Sequence, residues 1–521
     1  MKRFSRSSIA AAAVCAVLMG APAWAQSTAP TPISAKPLDL TIHLHYDDKY
    51  LWNEASPVAK ELTRLTNIKL VNTASKVATN SAEQFNLLIA TGQLPDIVGG
   101  SGVTDGIIKY GMEGAFLPLN KLIDQHAPNI KAFFKKYPEV AKAITAPDGN
   151  IYYMPYVPDG AVSRGWWIRQ DWLDKLKLKQ PQNVNELYEV MKAFRDRDPN
   201  GNGKKDEIPY FNSNEHEVFR LALLWGGRSS GSNTAMDFMV KDGRVVHPFA
   251  QDEFKVAIKN ISKWYAEGLI DKEIFTRKSR ARQQLYSADQ GGITHDWFAS
   301  TSSYNASMAD KVPGFKVVAM APPADINGKR LEEDSRKLVM PHGWAISYST
   351  KHAVEAIKLF DFYYSEAGRR LNNFGVEGVS YTMKNGQAVF TDAILKSTTP
   401  VNTQLKEQIG AQLPIGYHQD YRYEAQWTMD EGVKGRDMYV KGNYVIPQFP
   451  GVNMSKEERA LYDKYWPNLK TYMNEMAQNW ILGTKDVDKT WEEYQAYLKK
   501  SGYPQVIVSM QKAYDRQYGK K

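Results

Sequence analysis

The segment SAEQFNLLIATGQLPDIVGG, residues 81–100, predicts a helix followed directly by a buried strand. Its first half has helical spacing and closes at Gly92, and PDIVGG is a short apolar run typical of a strand. Upstream, the strand-like LDLTIHLHY (38–46) is followed by a Ser-Pro helix start at 56–57 and a second strand-like run, IKLVNTAS. The strand–helix–strand–helix–strand order predicts an α/β domain with a mainly parallel sheet.

The pattern changes near residues 145–170, where a turn and two aromatic strands precede a helix that starts near Asp171. We interpret this stretch as a crossing into a second, helix-rich α/β lobe. Two such lobes, joined by a chain that crosses more than once, leave a cleft between them, and ligands prefer such clefts. The predicted lobes are residues 38–156 with 315–371, and residues 157–314 with 372–521.

The N-terminus predicts export. Basic residues precede an apolar run, and APAWA places small residues before a cut after Ala25, so residues 1–25 are predicted to be a signal peptide. That run is too short to span a bilayer. Cys15 is the one cysteine of the chain and lies in the signal, so the predicted mature protein has no disulfides. A chain of this length can bury large cores without them.

The charge balance is mildly basic. Removing Lys2, Arg3 and Arg6 with the signal lowers the net charge from +9 to +6. Such an excess suits an anionic ligand, although it is also ordinary for an exported protein. No concentrated Lys/Arg block occurs, which argues against nucleic acid as a partner.

The segment DPNGNGKKDE (198–207) resembles the first part of an EF-hand calcium loop. Short oxygen-bearing side chains alternate along it, a glycine permits the sharp turn, and a backbone carbonyl and a carboxylate follow at the required spacing. These candidate ligands are Asp198, Asn200, Asn202, Lys204 and Asp206. Pro209 stands where the usual bidentate Glu would be, and Glu207 comes two residues early. A plain Asp/Asn/Gly turn is the alternative.

Aromatic residues that have polar neighbours in the sequence form a second candidate site. Sugar rings stack their C–H faces on Trp and Tyr, and sugar hydroxyls and carboxylates need planar polar partners. Any single one of these residues is better explained by ordinary packing, but the set as a whole favours a carbohydrate cleft. The candidate ligand-binding residues are Lys49, Tyr153, Tyr156, Arg164, Trp166, Asp296, Trp297, Arg336, Tyr417, Gln419, Tyr421 and Trp427.

Catalytic patterns are weak. The chain has no G-x-S-x-G elbow and no H-E-x-x-H motif. His295 and Asp296 are adjacent in a strand-like run, so their side chains point in opposite directions. We therefore predict a binding protein and not an enzyme, with a secreted polysaccharide lyase or hydrolase of uronate polymers as the alternative.

Several long segments resemble the periplasmic alginate-binding proteins, which are extracellular solute-binding proteins of ABC importers. The resemblance runs through essentially the whole predicted mature chain. It is carried by KPLDLTIHLHY (36–46), ATNSAEQFNLLIATGQLPDIVGG (78–100), EGAFLPLNKLIDQ (113–125), APDGNIYYMPYVPDG (146–160), DPNGNGKKDE (198–207), EGLIDKEIFTRK (267–278), THDWFAST (294–301) and GTKDVDKTW (483–491).

The resemblance implies a two-lobed periplasmic binding protein that closes on an acidic oligosaccharide or polysaccharide and delivers it to ABC permease subunits. We expect it to act as a monomer. A surface or chemoreceptor-coupled binding protein that does not feed an importer is the alternative to this role. It also implies a structural Ca²⁺ in the loop, with Glu207 as a ligand. Trp297 and Trp427 would stack on sugar, and Lys49 and Tyr156 would make polar contacts.

This chain departs from the family pattern near the expected cleft. His418 stands where the family has a Trp, and Met340 and His342 replace parts of an Arg-Pro-Asp-Gly-Trp run. Loss of an aromatic platform and of an arginine is expected to affect the preferred sugar, so another uronate polymer or an unsaturated uronic oligosaccharide is an open alternative to alginate.

Overall fold

The computed structural model describes residues 32–46, 50–213, 216–229, 238–278, 280–333, 336–397, 399–413 and 415–519. The predicted signal peptide and Lys49 therefore lie outside the described residues.

The first lobe is built on a seven-stranded sheet. Leu38–Tyr46 runs parallel to both Ile68–Asn72 and Ile97–Ser101, because a helix returns the chain to the same end of the sheet after each strand. The carboxyl ends of these strands lie at one edge of the sheet. The strand order is Tyr417–His418, Met154–Val157, His342–Ile346, Ile97–Ser101, Leu38–Tyr46 and Tyr50–Leu51, with Ile68–Asn72 also on Leu38–Tyr46.

The second lobe contains a smaller sheet of four strands, in the order Val317–Met320, Arg164–Arg169, Gly291–Trp297, Ile208–Tyr210. Arg164–Arg169 is the first strand after the chain leaves the first lobe, and it pairs antiparallel with Gly291–Trp297. Trp297 therefore lies at the edge of the sheet where the chain enters. Two hairpins complete the strands of the described residues: Met239–Lys241 with Arg244–Val246, and Tyr381–Lys384 with Gln387–Phe390.

Helices cover both sheets, and none in the described part of the chain is long and apolar enough to cross a membrane. The first lobe has Pro57–Thr66, Ser81–Thr91, Thr104–Met112, Asn120–His126, Pro128–Lys136, Pro138–Ile144, Ala353–Tyr364, Glu366–Phe374, Asp392–Leu395, Val401–Thr403, the π-helix Gln404–Ile409 and Arg422–Ala425. The second has Gln170–Leu176, Val184–Asp196, the 3₁₀ helices Glu217–Trp225 and Pro248–Ala250, Asp252–Ala266, Ala281–Ser287, Phe298–Ser302, Tyr304–Met308, Asp430–Lys441, Lys456–Leu482, Val487–Lys500 and Tyr503–Tyr518.

Local signals set the helix ends as predicted. Ser56 precedes the first helix, and its hydroxyl accepts a hydrogen bond from the backbone N–H of Ala59 at 3.2 Å. Such a cap satisfies a helix donor that would otherwise have no partner. Gly92 ends the second helix with φ of 67°, a left-handed conformation that glycine adopts without steric penalty.

Buried apolar side chains form two separate cores, and their membership differs from the predicted lobes at two places. Val317–Met320, assigned to the first lobe from sequence, pairs antiparallel with Arg164–Arg169 in the second. Conversely, Leu405, Leu413 and Tyr417, assigned to the second lobe, pack in the core of the first. Each lobe therefore contains strands or helices from chain segments that the sequence analysis assigned to the other lobe. The buried pattern of a strand does not reveal which sheet it joins.

The lobes also meet away from the crossing segments. Asn453 donates from Nδ2 to the carbonyls of Ala143 at 2.9 Å and Thr145 at 2.7 Å. Gln517 donates from Nε2 to the carbonyls of Lys142 and Ala143, both at 3.0 Å. These side chains of the second lobe satisfy carbonyls at the end of helix Pro138–Ile144 in the first, where a helix has no partners of its own.

We predict that acid destabilises the protein through His43, which burial and the neighbouring His45 give a pKa of about 4 against an ordinary 6.5. Among the described residues, neither ring nitrogen of His43 has a hydrogen-bond partner. Below pH 6.5 the unfolded chain binds a proton here that the folded protein does not, so stability falls by about 3 kcal/mol between pH 6.5 and 4. His43→Leu should remove this share of the pH dependence of the urea-unfolding free energy. A similar share should remain from His418, whose pKa burial also lowers to about 4. His126→Leu, at a partly exposed position, should not. Equal acid sensitivity of wild type and His43→Leu would contradict the prediction.

Candidate functional site

A cavity of about 680 Å³ lies between the lobes, beside the segments that connect them. Thr104, Asp105 and Tyr153 line it from the first lobe, and Arg336–Pro341 lines it from a connecting segment. Residues between Tyr439 and Asn453 line the opposite side. The structure therefore brings Tyr153 and Arg336, two of the predicted ligand-binding residues, to one cavity.

Arg336 is held by a buried carboxylate. Its Nη2 donates to both oxygens of Glu424 at 2.7 Å, and both side chains are only 9% exposed. The guanidinium also lies 5.8 Å from the ring centre of Tyr421, and Arg436 lies 4.6 Å from the same ring. Tyr421 thus contacts two cations, and the charge of Arg336 is balanced within the protein.

Three more predicted residues lie next to Arg336. Tyr156 and Tyr417 stack with ring centres 4.9 Å apart and planes 3° apart, and the amide of Gln419 donates to the Tyr423 hydroxyl at 3.1 Å. Burial, with smaller opposing effects that include Arg336, raises the pKa of Tyr156 to about 12, so this phenol stays neutral and able to donate. Tyr417 is almost fully buried and supports Tyr156 from behind.

Trp297 is the most exposed of the predicted platforms, with 38% of its surface accessible. It is the last residue of Gly291–Trp297 and lies directly opposite Arg164, the first residue of the neighbouring strand. The Arg164 guanidinium lies 4.6 Å from the centre of the indole ring. Arg164 itself is buried, and its Nη1 donates to Glu217 at 3.0 Å.

A chain of alternating buried charges lies beneath Trp297. Glu217 also accepts from Arg282 at 2.8 Å, and Arg282 lies 3.1 Å from Asp296. Burial alone would raise the pKa of Glu217, but the neighbouring arginines hold it below its usual range, so the carboxylate is charged. The Asp296 carboxylate also accepts from Thr301 at 2.6 Å, so the protein already occupies this predicted ligand contact.

The other predicted residues have different surroundings. His295 points away from Asp296 and contacts Glu332 at 2.9 Å. Trp166 is 2% exposed and packs on Tyr210 in the core of the second lobe. Trp427 is partly buried against the first core, and its indole nitrogen has no hydrogen-bond partner in the part of the chain that is described.

Two carboxylates that organise the site were missed from the sequence, Glu217 and Glu424. Each had a signal. Glu217 opens the apolar run EVFRLALLW, and Glu424 stands inside the aromatic segment YRYEAQW. A charged residue within an apolar or aromatic run is buried only when it is paired.

The predicted calcium loop is tightly folded. Oxygens of Asp198 accept from the backbone N–H groups of Gly201, Asn202 and Gly203 at 2.8, 3.1 and 3.0 Å. The amides of Asn200 and Asn202 donate to Asp206 at 3.2 and 3.1 Å. The backbone N–H of Lys204 donates to Asn202.

Glu207 is the exception in this loop. It is 8% exposed, and within the described structure neither carboxylate oxygen receives a hydrogen bond of ordinary geometry. Burial, with repulsion from Asp198 and Asp206, raises its pKa. No group of three or more His, Cys, Asp or Glu side chains in the described residues is arranged as a preformed metal site. The loop nevertheless leaves one buried carboxylate without a counter-charge.

Comparison with known proteins adds family-level evidence. The family model described as bacterial extracellular solute-binding protein matches residues 54–370, more than half of the chain. The crystal structure of alginate-binding protein AlgQ2 without calcium ion is 59% identical, with a TM-score of 0.83, over 93% of this chain and 99% of that one. The fructooligosaccharide ABC transporter substrate-binding protein FusA of Streptococcus pneumoniae is 28% identical over 84% of this chain and 82% of its own. A structure of FusA with kestose shares the fold, with a TM-score of 0.70 at 23% identity over 93% of this chain and 100% of that one.

We predict that Glu424→Gln destabilises the protein by about 3–5 kcal/mol, because it leaves the buried Arg336 charge without its partner. The free energy of unfolding in urea measures this. Asp392→Asn is the matched control, since the Asp392–Lys396 pair at 2.8 Å is exposed and should contribute nothing measurable. Equal, small effects of the two substitutions would show that water screens the Arg336–Glu424 pair.

Proposed function

The chain belongs to the bacterial extracellular solute-binding proteins, and on that premise we propose that it captures acidic oligosaccharides, alginate-derived chains first among them. The proposal for alginate is supported by the 59% identity to the alginate-binding protein AlgQ2 across nearly the whole of both chains. Membership in a family of binders also confirms the prediction that the chain is not an enzyme, so the lyase and hydrolase alternative is set aside.

The environment of Trp297 is the observation that best supports a sugar as the ligand. An indole that is 38% exposed stands at the entry edge of the second sheet, on a base of buried, mutually paired charges. A flat apolar face held rigidly in polar surroundings suits the C–H face of a pyranose ring. We propose that Arg336, which lines the inter-lobe cavity, and its neighbours Tyr156 and Tyr421 supply further polar and aromatic contacts from the connecting segments and the first lobe.

Closure of the lobes would couple capture to transport. A ligand that contacts both lobes binds the closed arrangement better than the open one, and it shifts the population by that difference in affinity. We propose that ABC permease subunits recognise the closed form, and that the protein acts as a monomer in the periplasm after removal of residues 1–25.

The residues that depart from the alginate-binding family pattern bear on which sugar the protein binds. Met340 lines the inter-lobe cavity, and the ring of His342 contacts Tyr46 and Tyr156. His418 packs against Phe133 and Tyr137. We propose that Met340 and His342 alter which uronate the cleft accepts, with a different uronate polymer as the second candidate ligand.

We further propose that the 198–207 loop holds a structural Ca²⁺. The donors available are hard oxygens, which Ca²⁺ prefers: the carboxylates of Asp198, Asp206 and Glu207, the amide oxygens of Asn200 and Asn202, and the carbonyl of Lys204. The buried and uncompensated Glu207 carboxylate fits this assignment, because a cation would supply the charge it lacks.

Trp297→Ala and Trp427→Ala should each weaken binding of alginate oligosaccharides by about 1–3 kcal/mol, the scale of a lost ring-stacking contact. Isothermal titration calorimetry measures the affinities. Tyr497→Ala is the control, since Tyr497 is also exposed (40%) but lies on the helix Val487–Lys500. Unchanged affinity in both tryptophan variants would show that neither residue is part of the ligand-binding site.

Chelation should lower the thermal midpoint of the wild-type protein, and added Ca²⁺ should restore it. Glu207→Gln should lose most of this response, because it removes the charged donor that has no other partner. Asp196→Asn, at the end of the helix that precedes the loop and paired with Arg195 at 2.7 Å, should respond like wild type. Differential scanning fluorimetry with and without EDTA provides the measurement, and a midpoint insensitive to EDTA in all three proteins would refute the calcium proposal.

A further inference from the structure

Arg164 and Trp297 form a cross-strand pair whose geometry restricts the tryptophan. They stand directly opposite one another in the antiparallel ladder, where side chains on one face of a sheet lie close together. The guanidinium lies 4.6 Å from the ring centre, within the range of a cation–π contact. One face of the indole is therefore covered by Arg164. The accessible surface of the ring lies on its other face and along its edges.

Glu217 fixes the guanidinium in this position. It receives Nη1 of Arg164 at 3.0 Å and Nη2 of Arg282 at 2.8 Å through separate oxygens. Arg164 is 4% exposed and Glu217 is 2% exposed, so this ion pair is removed from water. The positive charge of Arg164 is therefore balanced inside the protein and is poorly placed to meet a carboxylate of the ligand.

We infer that Arg164 is a positioning residue that locks the indole of Trp297 and leaves it a single face for a sugar ring, and that Glu217 holds Arg164 in place for this role. The inference rests on the proposed function and gives Arg164, one of the ligand-binding residues predicted from sequence, an indirect role in binding. It restricts the ligand to one pyranose ring on Trp297, on the side away from Arg164, and rules out a sugar on each face of the indole.

A double-mutant cycle with Arg164→Met and Trp297→Ala tests the coupling. Arg164→Met should weaken binding of an alginate oligosaccharide about threefold to tenfold in the wild-type background, the scale of a partly desolvated cation–π contact. In the Trp297→Ala background the same substitution should have little further effect. An equal loss in both backgrounds would overturn the inference, since Arg164 would then act independently of Trp297.

Salt dependence separates positioning from a direct ion pair. If Arg164 only positions the indole, Arg164→Met should leave unchanged the slope of log Kd against log salt concentration. A reduced slope would mean that Arg164 meets the ligand's charge, and it would overturn the inference.

A measurement without sugar keeps the inference separate from the proposed function. In protein labelled with 5-fluorotryptophan, the ¹⁹F resonance assigned by Trp297→Phe should shift or broaden in Arg164→Met and in Glu217→Gln. Arg164→Lys, which keeps the charge without the planar guanidinium, should also perturb it. Thermal midpoints identify any variant that has lost its fold. An unmoved resonance in folded Arg164→Met would overturn the inference, whereas failure of the wild-type protein to bind acidic oligosaccharides would overturn the proposed function alone.

Discussion

The carboxylate of Glu217 is the constraint on which the second lobe and its part of the site depend. A charge this deeply buried is tolerated only when it is paired and hydrogen-bonded, and Arg164 and Arg282 meet that requirement together. Arg164 begins the strand that enters the lobe, and Arg282 reaches Asp296 at the end of the strand that carries Trp297. The position of the exposed indole thus follows from the neutralisation of one internal charge.

The segments that connect the lobes also contain a buried charge that is paired. Arg336 and Glu424 are 88 residues apart in sequence and are joined by two hydrogen bonds of 2.7 Å. Their pair links the segment that enters His342–Ile346 with the one that leaves Tyr417–His418. Buried pairs of this kind are weak evidence for added stability, but they tolerate few alternative arrangements, because every unpaired alternative leaves a charge in the interior.

Local features of the fold were predictable from sequence, and non-local ones were not. The cap at Ser56, the stop at Gly92 and the strand Leu38–Tyr46 each depend on a few neighbouring residues, and the structure places them as predicted. The sheet that Val317–Met320 joins depends on a partner nearly 150 residues away, which no local pattern encodes. The site follows the same division. Trp297 was identifiable from its polar surroundings in sequence. The apolar run around Glu217 indicated a buried and paired charge, but it did not indicate the partner, because Arg164 is 53 residues distant.

The amides of Asn453 and Gln517 have a mechanical consequence for the molecule. They connect helix Tyr503–Tyr518 and the loop before Lys456–Leu482 to the end of helix Pro138–Ile144 in the opposite lobe. Together with the covalent connections, these bonds give the lobes attachments at separate places. A rigid body attached at separate places has fewer ways to rotate than one on a simple hinge. Any motion that leaves these bonds intact must turn about an axis close to them, so they restrict the direction in which the cleft is able to widen.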